Sequence, residues 1–333
     1  MDGRRKCSKA VDLFFLERHR LIAAHRLCER FVGARSSEEI IASLGEFGCR
    51  TVSTTGADGE RVDREASLMT MLVDAFREVK EMLPTPDAVV FLQYKYDCNN
   101  IKSLLKCRVR GVEPTGMLSD AGSVPLEALR EAVGSGDFSV LPRNMAAAAG
   151  EAYKNCLRTA DTQSIDLTLD RACFADMAGT AEASGVPFAR RYVATLTDLT
   201  NLAMTLRVIR MGGSAGSSES GSRLLEAALL PGGNVAPDAW ISLLGEGEEA
   251  LWRFVRKGEY APVAETCGIG TPLSAVERAT DARLMALVRE ARWLPFGAEL
   301  AVAYLVGLEV GIKNLRIIMA GKDAHNDAAA IRE

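Results

Sequence analysis

The sequence predicts an all-α fold made of three similar helical segments. Three observations carry that expectation. First, a distinctive helix recurs. Val89–Gly111 places Asp97 and Asn100 three residues apart, with Gly111 eleven residues after the Asn. Phe188–Gly212 repeats this with Asp198, Asn201 and Gly212, and Phe296–Lys322 is a looser copy carrying Asn314. The Asn-to-Asn intervals are 101 and 113 residues, so a unit of about a hundred residues is used three times. Second, the composition is rich in Ala, Leu, Glu and Arg, while aromatics are only 6%, which favours helix over sheet. Third, no stretch alternates apolar and polar residues convincingly enough to predict a strand. The segments expected on this basis are 1–112, 113–213 and 214–333.

The elements follow in order. Val11–Val32 reads as a helix with a broken apolar stripe. Ser36-Ser37 followed by Glu39 is a capping signal for a helix over Ser37–Leu44. Thr51–Gly59 reads as a polar loop. Val62–Leu83 is the clearest amphipathic helix, with Leu68, Leu72, Ala75, Phe76 and Val79 on one side. Pro84 and Pro86 stop it, because proline lacks the N–H a helix needs. After the first motif helix come short helices at Pro125–Val133 and Asn144–Thr159, with a loop at Gly134–Pro142 between them. Leu167–Ser184 leads through Gly185 and Pro187 into the second motif helix. Met211–Ser222 is Gly/Ser-rich and reads as a linker. Arg223–Leu230, Ala236–Leu244 and Gly247–Lys257 are short helices and Ser274–Ala291 a longer one. A turn at Leu294–Gly297 enters the third motif helix, and Asp323–Glu333 is a weak tail. In each segment a helix with an acidic-plus-Arg start precedes the motif helix, which returns antiparallel to it.

Several function classes are disfavoured. The net charge of −4 argues against general nucleic-acid binding. Eight cysteines occur without Cys-x-x-Cys spacing, as expected of buried reduced thiols. Near the N-terminus Glu17, Arg18 and His19 cut the apolar run too short for a signal sequence. The longest apolar stretch, Leu300–Leu308, falls far below the about 20 residues a membrane span needs. There is no phosphate loop, no nucleophile elbow and no zinc-type histidine spacing. Neither a catalytic constellation nor a cofactor or metal site is expected.

The Asp–Asn pairs at i and i+3 share one helix face. Two uses fit such a pair: bonding the backbone of a neighbouring element, or direct contact with a partner. Charge supplies a second clue. The motif helices carry net charges of +4, +3 and +1, leaving −12 on the rest. Either these are solvated helix faces or they form a basic zone that meets an acidic partner. Under the second view Lys102, Arg108 and Arg210 are the residues to test.

Tyr304 and Glu309, then Ile312-Lys313-Asn314-Leu315-Arg316, closing on Gly321-Lys322, resemble the C-terminal segment of the C/AC39 family of A/V-type rotary ATPases and ATP synthases, to which the d-type stalk component of the eukaryotic V-ATPase is related. Lys95-Tyr96-Asp97 through Asn100-Ile101-Lys102 to Leu104-Leu105 is similar to that family's first motif, and Asp198–Leu202 to its middle one. The similarity extends over nearly the whole chain from about residue 10. The N-terminal segment and the Gly/Ser stretch at 211–222 depart from the family pattern. The resemblance implies an all-helical funnel of three pseudo-threefold-related repeats. It implies a non-catalytic rotor part of the central stalk, without cofactor, seated on the cytoplasmic face of the proteolipid ring and receiving stalk subunits D and F. Membrane contact would be only through the ring, nucleic acid would not be a partner, and the isolated chain would be monomeric. Asp97, Asn100, Lys102, Arg108, Asp198, Asn201, Arg210, Glu309, Asn314 and Arg316 are then the motif and possible interface residues. The alternative is a free-standing α-helical repeat scaffold that binds an acidic protein partner. A helical hydrolase with an unrecognised site is a third possibility.

Overall fold

The computed structural model describes residues 29–45, 50–56, 59–159, 163–212, 219–291 and 297–332. Most of the helix expected over Val11–Val32, most of the turn at Leu294–Gly297, His19 and His25, and Cys7, Cys28 and Cys49 lie outside them. The described chain is overwhelmingly helical, so the expected all-α class holds. It divides into two compact units, Met1–Val89 with Ala291–Glu333, and Val90–Glu290.

In the first unit, α1 (Ser37–Leu44) begins as the capping signal predicts. Ser36 accepts a hydrogen bond from the Glu39 amide at 3.3 Å, while Glu39 reaches back to the Arg35 amide at 2.8 Å. Next comes a departure from expectation. Strands β1 (Val52–Gly56) and β2 (Gly59–Asp63) pair antiparallel, with Val52 opposite Asp63, where the sequence read as a polar loop. Five-residue strands offer too few alternations to be recognised by pattern. The hairpin is tied to the following helix by the Val52 amide, which donates to Ser67 Oγ at 2.9 Å. Helix α2 (Arg64–Met82) starts two residues later than expected, because Asp63 caps it by accepting from the Ala66 amide at 2.9 Å. Its buried stripe is Leu68, Leu72, Ala75, Phe76 and Val79. A four-residue turn of helix, α3 (Asp87–Val90), follows the prolines.

The second unit contains α4 (Tyr94–Arg110), α5 (Leu126–Ser135), α6 (Arg143–Thr159), α7 (Gln163–Ala183) and α8 (Pro187–Met211). Then come α9 (Glu219–Ala228), α10 (Pro237–Glu246), α11 (Glu248–Lys257), α12 (Ala261–Thr266) and α13 (Leu273–Glu290). Part of the expected 211–222 linker is therefore helical from Glu219 onward. Helix α12, which the sequence did not announce, is only six residues long. The first motif helix, α4, ends on Gly111 in the left-handed conformation (φ 65°), where a residue without Cβ is unstrained. The second, α8, begins with Pro187, whose fixed φ suits a first turn.

Each motif helix in this unit packs on the helices that follow it. Helix α4 lies on α5, α6 and α7, and α8 lies on α9, α10, α11 and α13. Direction is visible in ion pairs. Lys102 meets Asp170 at 2.7 Å and Lys106 meets Asp166 at 2.6 Å, so α4 and α7 are antiparallel. Arg207 reaches Glu277 at 3.2 Å and Arg191 pairs with Glu290, so α8 and α13 are antiparallel too. The core around α8 includes Leu202, Leu206, Trp240, Leu251, Trp252 and Val276.

Back in the first unit, the third motif helix, α14 (Ala298–Asp323), packs on α1 and α2, which come from the other end of the chain. Ser37 donates to Asp323 at 2.6 Å, and Lys322 donates to the Val32 carbonyl at 2.6 Å. The third motif helix and the helices from the start of the chain thus lie in one unit. A short helix, α15 (Ala328–Arg332), lies within the expected tail and seats Ile331 over Gly321.

Candidate functional site and the duplicated Asp–Asn clamp

The Asp–Asn pairs do the same work on α4 and α8. Asn100 donates to the Ser119 carbonyl at 2.8 Å and accepts from the Ser119 amide at 2.9 Å. Asn201 does likewise with Leu230, donating at 2.9 Å to its carbonyl and accepting at 2.9 Å from its amide. Asp97 accepts from the amides of Ser123 (3.0 Å) and Val124 (3.1 Å) and from Ser123 Oγ (2.6 Å). Asp198 accepts from the amides of Asn234 (2.9 Å) and Val235 (3.2 Å) and from Tyr260 Oη (2.6 Å). In both copies the side chains clamp a loop that has just left its helix pairings and is about to enter α5 or α10. The loop amides and carbonyls have no helical partner, and buried backbone groups must find one. Of the two uses weighed for these pairs, the structure shows the internal one: Asp97, Asn100, Asp198 and Asn201 are all buried.

The copies differ in their third support. In the first, Gln93 donates to the Ala121 and Gly122 carbonyls, each at 2.9 Å. In the second, Tyr260 closes over Asp198. Burial pushes the Asp198 carboxyl above its usual range, opposed by the Tyr260 hydroxyl and the two loop amides. Burial, then the bond to Asp198, pushes the Tyr260 hydroxyl well above the ordinary phenol range. A tyrosine held protonated beside a saturated carboxylate is a structural donor, not a base or a nucleophile.

The third copy lacks the clamp. Asn314 is exposed on α14, and Gly311 stands where the acid would be. The basic candidates are mostly engaged inside the chain. Lys102 pairs with Asp170. Arg108 donates to the Val133 carbonyl at 2.9 Å and to Tyr153 Oη at 3.1 Å, its guanidinium lying 5.1 Å over that ring. Arg210 pairs with Glu248 at 2.6 Å and donates to the Thr271 carbonyl at 2.7 Å. Arg316 pairs with Glu65. Glu309 also sits on α14, half-buried.

Sequence reasoning missed the partners of the clamp, namely the loops and Tyr260. One signal was available: Gly122-Ser123-Val124 and Gly233-Asn234-Val235 share a Gly-x-Val pattern downstream of each motif helix. A Cβ at either glycine would overlap the clamping carboxylate, so neither position admits a side chain. Among the described residues no cluster of His, Cys, Asp and Glu could hold a metal ion, and no helix is long and apolar enough to cross a membrane.

The chain is 25% identical over 296 residues to the C-type subunit of the V-type sodium ATPase of Enterococcus hirae, a match covering 88% of each protein. The sequence model of the ATP synthase (C/AC39) subunit family matches residues 23–333. That family is an accessory, non-catalytic component of V-type ATPases, and with nearly its whole length matched, this chain belongs to it.

Proposed function

We propose that this chain is the rotor socket of a V-type ATPase or ATP synthase. It joins the central stalk, subunits D and F, to the proteolipid ring on the cytoplasmic face of the membrane, and so couples ATP turnover to proton or sodium transport. The family match across residues 23–333 carries this reading. The structure supports it in a specific way. A part that transmits torque must resist bending, and the loops between helices are its weakest points. Here two of those loops are clamped by buried carboxylate and amide side chains, which make close, saturated contacts in a packed interior. We further propose that the three segments are related as a pseudo-threefold funnel, the looser third being closed by the two chain ends.

Co-expression with the other subunits of the complex tests the assignment. The tagged chain is expected to retain D, F and the proteolipid ring through purification, to contact lipid only through that ring, and to sediment as a monomer when expressed alone. A tagged chain that retains none of these subunits would overturn it and favour the free-standing scaffold.

A further inference from the structure

The turn Cys267–Thr271, between α12 and α13, is held more firmly than its exposure requires. The Thr271 carbonyl accepts from Arg210 at 2.7 Å, and the Gly270 amide donates to Glu248 at 3.1 Å. The Gly268 amide donates to Thr271 Oγ1 at 2.9 Å, and the Cys267 amide closes on the Val263 carbonyl at 3.0 Å. Glu248 is fixed in turn by Arg210 and by Trp252 Nε1, 3.2 Å away. At the crest of this turn, between two glycines, stands Ile269, 67% exposed. Met211, next to Arg210 at the end of α8, is 71% exposed. A lone exposed apolar side chain means nothing. Two of the largest exposures in the second unit close in sequence to the two ends of one half-buried ionic tie are different, since a turn pinned in place presents its crest without further loss of conformational entropy on binding.

The charge around the crest indicates what would meet it. Over residues 248–278, Glu248, Glu249, Glu259 and Glu277 are engaged by Arg210, Arg253, Arg283 and Arg207. The unpaired charges in that stretch, among the described residues, are Arg256, Lys257 and Arg278 against Glu265. Arg256 reaches within 3.8 Å of where a Cβ on Gly268 would stand, beside the crest itself. We propose that Ile269, with Arg256 beside it, is a docking knob that enters an apolar socket edged with carboxylates on a protein partner. This rests on the reading of the chain as part of a V-type complex, which supplies that partner. Apolar contact would provide the affinity, and the arginine the orientation and salt sensitivity.

The test uses the V-type complex purified without this chain, to which the full-length chain and its variants are added. Ile269→Asp is expected to weaken capture at least tenfold, Ile269→Leu to leave it near wild type, and Arg256→Glu to weaken it and flatten its salt dependence. Val140→Asp, at an exposed valine outside the crest, is expected to bind as wild type. Circular dichroism melts of Ile269→Asp should match the wild type, because the residue is in solvent. Equal capture of Ile269→Asp and wild type would overturn the knob while leaving the assignment of the chain intact. So would a loss seen only in self-association, or only in binding to anionic lipid vesicles. Failure of the wild-type chain itself to be captured would overturn the assignment, and the knob with it.

Discussion

Gly122 and Gly233 occupy the same place over two different carboxylates, Asp97 and Asp198, and neither leaves room for a methyl group. The loops approach the helices this closely because their amides donate directly to the carboxylate oxygens. Gly122→Ala and Gly233→Ala should each lower stability by about 1–3 kcal/mol, the usual effect of overpacking a filled site. Gly179→Ala, at an exposed position of α7 with nothing near its Cβ position, should raise stability by about 0.5–1 kcal/mol through helix propensity. Thermal melts of the three variants decide it. A neutral Gly233→Ala would show that the loop is not held as described.

The two clamping asparagines should be unequal to the third. Asn201→Ala leaves the Leu230 amide and carbonyl buried without partners, and is expected to destabilise by about 2–4 kcal/mol, summing roughly 1–3 kcal/mol per orphaned group with partial relaxation. Asn100→Ala should be milder, because Ser119 is only half-buried and water can reach it. Asn314→Ala should fall within about 0.5 kcal/mol of wild type, as exposed substitutions generally do. Urea unfolding of the three variants ranks them, and a large effect at Asn314 would contradict its solvent position.

Acid should weaken the turn that carries Ile269. The hydrogen bond from Arg210 holds the Glu248 carboxyl below its usual range, against the opposing effect of burial. A carboxylate whose folded pKa is depressed adds stability that is fully present above the ordinary carboxylate range and is lost as pH falls through the folded value. Wild type should therefore lose more stability than Glu248→Gln between about pH 5 and pH 3, while at neutral pH the variant should be weaker by about 1–3 kcal/mol, the effect of losing a hydrogen bond to a charged group. Amide hydrogen exchange at Gly270 should speed up in the variant at neutral pH. Parallel acid limbs in the two proteins would refute the coupling.

The thiols at 98, 107, 173 and 267 are free and buried. Cys98 donates to the Leu169 carbonyl at 3.5 Å, and its hydrogen bond with Cys173, followed by burial, raises its pKa well above the ordinary thiol range. Iodoacetamide at pH 8 should leave all four unmodified in the native protein and label them in urea, as read by peptide mass spectrometry. Rapid native labelling of Cys98 would mean that α4 and α7 separate readily.

The longer helices, their order and the recurrence of the Asp–Asn motif were legible in the chain because they depend on local spacing. Apolar residues three and four apart make a stripe, prolines and glycines end it, and a repeated motif needs no coordinates to be seen. The capping of α1 by Ser36 and Glu39 is local in the same sense. What the motif binds is not local. Ser119 and Leu230 lie 19 and 29 residues downstream of their asparagines, with helix α9 intervening only in the second case, so no fixed spacing reveals them. Nor could spacing show that Arg108 and Arg210 find their partners within the chain, since an arginine on a helix surface pairs with whatever carbonyl or carboxylate the neighbouring helix brings up. The union of α14 with α1 and α2 joins the two ends of the chain, and the β1–β2 hairpin depends on pairing across strands too short to show a pattern. Sequence by itself determined the class of fold and the repeating helix, through interactions within a turn or two. Only the tertiary structure decided which polar groups face inward, because burial and hydrogen-bond satisfaction are settled between elements distant in sequence.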